Sequence, residues 1–167
     1  MKKLLFCFIL LSFTFSIQAQ IPHLEKNKHG ATQIIVDGKP FLMIGGETNN
    51  SSGSHIPHME KTMKSLKEAN LNFIFVTVSW EMVESKEGVY DFSSVDELLR
   101  IARKNKLKLG ILWFASWKNG LSPYAPTWVL GDTKRFERVK YNDGNNTRIL
   151  SPLCQETLQA DKKAYTE

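Results

Sequence analysis

Cysteine is almost absent from this chain of 167 residues: there are two, and Cys7 lies inside an apolar N-terminal run. That run is part of a recognisable leader. Met1-Lys2-Lys3 is a short basic start, "LLFCFILLSFTF" is the apolar stretch, and "SIQA" ends in the small residue Ala19. The pattern predicts a secretory signal peptide over residues 1–19, too short and wrongly flanked for a membrane anchor, and hence an exported protein, periplasmic or extracellular. Without the leader Cys154 is the remaining thiol, so an internal disulfide is excluded and the fold must rest on its core.

An excess of one charge is lacking too. Lys and Arg number 22 against 17 Asp and Glu, and two of the five surplus positives are Lys2 and Lys3. Lysines sit next to acids, as in "HMEKTMKSLKEAN", which reads as a solvated helix face, so nucleic acid and, after cleavage of the leader, membrane are not expected partners. Histidine is scarce. His55 and His58 form H-x-x-H at a helix start with no third ligand nearby, so neither metal nor cofactor is expected.

What is present is a repeat of strand and helix. "TQIIVDGKPFLMIGG" reads as a hairpin about Asp37-Gly38 whose second arm enters the core at Phe41 to Ile44. "HIPHMEKTMKSLKEAN" puts Met59, Met63, Leu66 and Ala69 at helical spacing, with Pro57 in the first turn and Asn70 at the end. "LNFIFVTVSW" is nearly continuous in apolar and β-branched residues, as in a parallel strand buried on both faces. In "SSVDELLRIARKN", Ser94 and Glu97 match a capping box, and Val95, Leu98, Leu99 and Ala102 form the inward stripe. A third strand, Leu107 to Phe114, also reads as doubly buried.

Three βα units of nearly equal length predict a parallel α/β sheet. From Ala115 to Leu150 the pattern loosens into a segment expected to be ordered but irregular, and Ser151-Pro152 is expected to open a last helix. Three strands form either the start of a (β/α)8 barrel, which needs about 250 residues to close, or a small open sheet. The first is preferred.

In such barrels the carboxyl ends of the strands carry the site. Those ends are Gly45-Gly46-Glu47-Thr48-Asn49-Asn50, Ser79-Trp80-Glu81, and Trp113 through Trp117-Lys118-Asn119. Indoles, amides, a lysine and carboxylates on one rim suit a carbohydrate, whose ring faces stack on aromatics and whose hydroxyls need polar partners. The candidate sugar-binding residues are therefore Glu47, Asn49, Trp80, Trp117, Lys118 and Asn119. Taken singly, Trp80 and Trp113 also fit core packing, Glu81, Glu84 and Glu87 a solvated loop, and Lys118 a surface charge.

"FLMIGGETNNSS", the spaced signature Trp80, Glu84, Gly88, Tyr90, Asp91, Phe92, and "LWFASWKNG…YAPTWV" together resemble the start of the catalytic barrel of β-galactosidases of glycoside hydrolase families 35 and 42, particularly the bacterial exported branch of family 35. The resemblance runs from about Gly38 to the end. Ser85 stands where the family commonly has proline, and Thr77 where related enzymes have a tyrosine that helps hold the sugar.

The resemblance implies an N-terminal portion of a (β/α)8 TIM barrel over 20–167, with three βα units and the following helix, in a retaining β-galactosidase-like hydrolase. It places the two catalytic glutamates after the fourth and seventh strands, beyond Glu167, so no residue here is assigned a catalytic role and Glu84 is expected to hold loops. The segment alone is expected to be inactive, with an open sheet edge. Another hydrolase of the clan, a glucanase or mannanase, and a non-catalytic carbohydrate-binding protein are the alternative readings.

Overall fold

The computed structural model describes residues 21–167, so the leader expected over Met1 to Ala19 lies outside the described residues. The chain divides between Leu42 and Met43 into two compact units.

The first unit is an antiparallel sheet of β1 (His23–Lys26), β2 (Thr32–Val36) and β3 (Lys39–Pro40), in that order. The expected hairpin is there. Asp37 and Gly38 both take positive φ, 51° and 73°, which a two-residue type I′ turn demands. Its second arm does not enter a core as expected, because pairing stops at Pro40 and Leu42, Met43 and Ile44 are exposed.

The second unit is built on a parallel sheet of β4 (Gly45–Glu47), β5 (Phe73–Ser79) and β6 (Lys108–Phe114), with β5 in the middle. Helix α1 (Ile56–Glu68) joins β4 to β5; the short α2 (Trp80–Val83) and then α3 (Ser93–Lys104) lead to β6. Strand β5 is buried along nearly its whole length, as its composition predicts. Its even-numbered residues Ile74, Val76 and Val78 pack on Met59 and Met63 of α1 and Leu98, Ile101 and Ala102 of α3. Each large side chain withdrawn from water there contributes about 1.5–3 kcal/mol.

The other face of β5 carries Phe73 and Phe75, ring against ring edge at 4.6 Å. Gly110 of β6 makes room for them, since a Cβ at that position would come within 2.6 Å of the Phe75 ring. Gly53, in a 3-10 turn after β4, likewise presses on the Thr77 carbonyl oxygen, where any side chain would collide.

Three expectations are corrected here. Strand β6 is not doubly buried: Lys108 and Ile111 are exposed, because β6 pairs with β5 alone among the described residues. The Ser94–Glu97 capping box does not form. Phe92 occupies the N-cap of α3, the Asp91 carboxylate accepts the Ser93 N–H at 2.9 Å, and Glu97 is drawn instead to Arg100 at 2.6 Å. The last helix, α5 (Gln155–Thr166), begins after Cys154 rather than at Ser151-Pro152, which lies in the preceding turn.

The long segment from Ala115 has structure of its own: α4 (Thr127–Gly131) and a hairpin of β7 (Arg138–Lys140) with β8 (Asn146–Leu150). Trp80, Ala115, Ala125, Val129, Phe136, Leu150 and Ala164 meet in a second core beyond the carboxyl ends of β5 and β6.

Candidate functional site

Strands β5 and β6 end at the same level, with Ser79 paired to Phe114, while β4 ends lower, with Glu47 paired to Phe75. The chain after β4 continues along β5: Thr48 N–H donates to Phe75 O at 3.0 Å and Thr77 Oγ1 to Asn50 O at 2.7 Å. Thr77 is buried and its hydroxyl is committed to fastening this loop. The fastening holds Glu47 and Asn49, both exposed, in one open concavity with Thr48, Asn50, Ser51 and Ser52.

After β6 the chain is pinned and then turned. Asp161 of α5 accepts the Trp113 indole N–H at 2.9 Å and the Ser116 N–H at 3.2 Å, anchoring the strand end. Lys118 and Leu121 then exchange backbone hydrogen bonds of 2.9 and 3.1 Å around Asn119 and Gly120, whose φ angles are 54° and 75°. This is a tight I′ turn, and Asn-Gly is the dipeptide that favours it. Trp117 stands 62% exposed at its foot, and the Lys118 ammonium lies 4.3 Å from the centroid of the Phe114 ring. A cation over an aromatic face is held there electrostatically.

Trp80 is different. It is fully buried in the second core, so it offers no wall to a ligand, and its assignment to the sugar rim is corrected. Its indole N–H donates to Glu84 Oε2 at 2.7 Å, while Glu84 Oε1 accepts the Gly88 N–H at 2.7 Å. The Glu84 carbonyl also accepts the Trp128 indole N–H at 3.0 Å. Glu84 is itself 3% exposed and thus ties three elements together, the loop-holding role expected of it. Burial, and then the Glu84 carboxylate, hold the Tyr90 phenol above its ordinary range.

Neighbouring acids are similarly engaged. Glu81 Oε2 accepts the Thr127 N–H at the start of α4, 2.8 Å away, and Glu87 pairs with Arg135 Nη1 at 2.7 Å. Arg135 also reaches Glu156 at 3.4 Å, and the carboxylates raise its pKa, Glu87 foremost. His55 and His58 serve the helix: His55 Nδ1 accepts the His58 N–H at 3.1 Å, capping α1.

The structure therefore gathers Glu47 and Asn49 in one place, and Trp117, Lys118 and Asn119 on another turn at the same end of the sheet. It sends Trp80 inside. Sequence reading overlooked Asp161, which lies 45 residues from Ser116 and has no local signal. It also overlooked the turn role of Asn119, for which the Asn-Gly pair was a visible signal.

The family model described as beta-galactosidase, Glyco_hydro_42, matches residues 49–132, slightly more than half of the chain. The chain belongs to this β-galactosidase family. The match spans the loop after β4, the Trp80–Phe92 signature and the Trp117 turn. Among curated relatives, beta-galactosidase 11 of Arabidopsis thaliana is 28% identical over 80% of this chain and 17% of its own length. Beta-galactosidase 13 of the same plant is 26% identical over 92% and 20%, respectively. The chloroplastic beta-amylase 2 of Oryza sativa subsp. japonica is 26% identical over 80% and 26%. The chain thus spans about a fifth of the length of the β-galactosidases it matches. An exo-beta-1,4-mannosidase from Opitutaceae bacterium strain TAV5 superposes with a TM-score of 0.45 at 18% identity, covering 63% of this chain and 19% of its own.

Proposed function

We propose that this chain forms the first three βα units of a (β/α)8 barrel in an exported retaining β-galactosidase-like hydrolase, and that it supplies part of the sugar-binding wall. The observation that carries this reading is the placement of Glu47, Asn49, Trp117, Lys118 and Asn119 at the carboxyl end of one parallel sheet in a chain of this family. Glu47 and Asn49 accept and donate hydrogen bonds to sugar hydroxyls. The exposed indole of Trp117 stacks on a ring face. Lys118 and Asn119 complete that side.

The reaction is double displacement: a carboxylic acid protonates the glycosidic oxygen, a second carboxylate attacks the anomeric carbon, and water then hydrolyses the glycosyl-enzyme. Both groups come from strands later in the barrel than the three described. In support, Glu81, Glu84 and Glu87 are each occupied by a structural partner.

The test is hydrolysis of a panel of aryl β-glycosides. The full-length protein should release nitrophenol from the galactoside in preference to the glucoside and mannoside, and residues 1–167 alone should release none. Preference for glucoside or mannoside moves the assignment to another hydrolase of the clan. Sugar binding without turnover by the full-length protein moves it to a binding protein.

A further inference from the structure

The β7–β8 hairpin carries two cations that the rim does not use. Arg138 and Arg148 line a cavity of 520 Å³, together with the polar residues Ser122, Thr133, Asn146 and Thr147. Leucine and proline complete its wall, and no carboxylate lines it. That volume is within the range of small-ligand sites. Leu121 of the same wall closes the turn that bears Lys118 and Asn119, and Ser122 Oγ accepts the Leu150 N–H at 2.9 Å, so the cavity is fixed directly behind the rim.

Arg138 is half-buried. Its Nη2–H donates to Leu130 O at 2.6 Å, but Nη1 is buried with no acceptor among the described residues. Burial alone pulls its pKa below the usual arginine value, with no acid opposing the pull. Arg135, three residues earlier, has two carboxylate partners, whereas neither Arg138 nor Arg148 has one among the described residues. A guanidinium withdrawn from water without a counter-charge is costly, and its planar fork matches a carboxylate or sulfate. The surrounding hydroxyls and amide match sugar hydroxyls, and the apolar wall matches a ring face.

We propose that this cavity is a subsite for an anionic sugar residue, a uronate or a sulfated sugar, within the glycan that the rim engages. The proposal rests on the carbohydrate reading above and extends it to the charge of the substrate. Arg148, which is exposed, makes the direct contact; Arg138 supplies the field behind it.

Calorimetric titration of the full-length protein with three probes tests it: a neutral β-galacto-oligosaccharide, one bearing galacturonate and one bearing galactose 6-sulfate. At low salt one or both acidic probes should bind about tenfold more tightly than the neutral one, as charge-assisted bidentate pairing allows. The tighter acidic probe identifies which anion is taken. Arg148→Gln should abolish the preference, and Arg138→Gln, which removes the charge behind it, should reduce it partly. Equal binding of acidic and neutral probes, or a preference that survives Arg148→Gln, overturns the subsite and leaves the carbohydrate reading intact. Binding of none of the three overturns both. If Arg138→Gln does not fold, the surface variant Arg148→Gln decides.

Discussion

Ser79-Trp80 and Ser116-Trp117 are the same dipeptide at the ends of neighbouring strands, and they have opposite fates. Trp80 is wholly buried and Trp117 is 62% exposed. The residues immediately C-terminal to each indole make the difference. After Trp80 the chain turns at once into α2, placing Glu84 one helical turn on, where it accepts the indole N–H. After Trp117 comes Lys-Asn-Gly, which reverses the chain within two residues and leaves the indole largely exposed. A tryptophan at a strand end is thus a wall or a core element according to the next four residues.

This contrast can be broken from the buried side first. Glu84→Ala strands the buried Trp80 indole N–H and removes the partner of the part-buried Gly88 amide, and should lower unfolding stability by roughly 2 to 4 kcal/mol, read from urea midpoints. Glu84→Gln keeps an acceptor and should lose clearly less. Equal, negligible losses for both would show that the Trp80–Glu84 bond does not organise this end of the sheet.

On the exposed side the stability effect should be small and the binding effect measurable. Trp117→Ala should leave the midpoint within about 0.5 kcal/mol of wild type while weakening sugar binding roughly three- to tenfold. Asn119→Gly should fold as well as wild type, because glycine accepts positive φ without cost. Any loss of sugar affinity it shows therefore belongs to the amide itself; an unchanged affinity confines Asn119 to the turn.

The smallest effect concerns Asp91, which takes the place of the missing capping box. Its bonds with the Ser93 hydroxyl and N–H hold its pKa below the ordinary 3.8. A carboxylate depressed in the folded state stabilises above its unfolded pKa and loses that contribution as pH falls through the folded value. Asp91→Asn should therefore be slightly less stable than wild type at pH 7, and the gap should close in acid. A gap independent of pH would assign it to packing.

Much of this molecule was legible one segment at a time. Asp37-Gly38 named its own turn, because few residues tolerate positive φ at both positions. The Met59–Met63 stripe and the apolar run of β5 predicted a helix against a buried strand, since periodicity of 3.6 and continuous β-branched character each have one economical packing. Glu84 was legible as a loop holder through the family signature. The cap of α3 was misread because two acids compete for it locally, and Asp91 is the one the backbone aims at the Ser93 amide.

The rim divided along the same line. Glu47, Asn49, Trp117 and Lys118 were placed at strand ends by the βα rhythm alone, since strand direction in a parallel sheet fixes which ends gather. How the strand ends and the loops beyond them are pinned was settled by contacts across tens of residues: Trp113 and Ser116 with Asp161, Trp128 with Glu84, Leu150 with Ser122. Local chemistry determines elements and turns, because their hydrogen bonds close within a few residues. Burial and charge compensation depend on what the rest of the chain brings alongside, and for Arg138 it brings, among the described residues, a carbonyl and no acid.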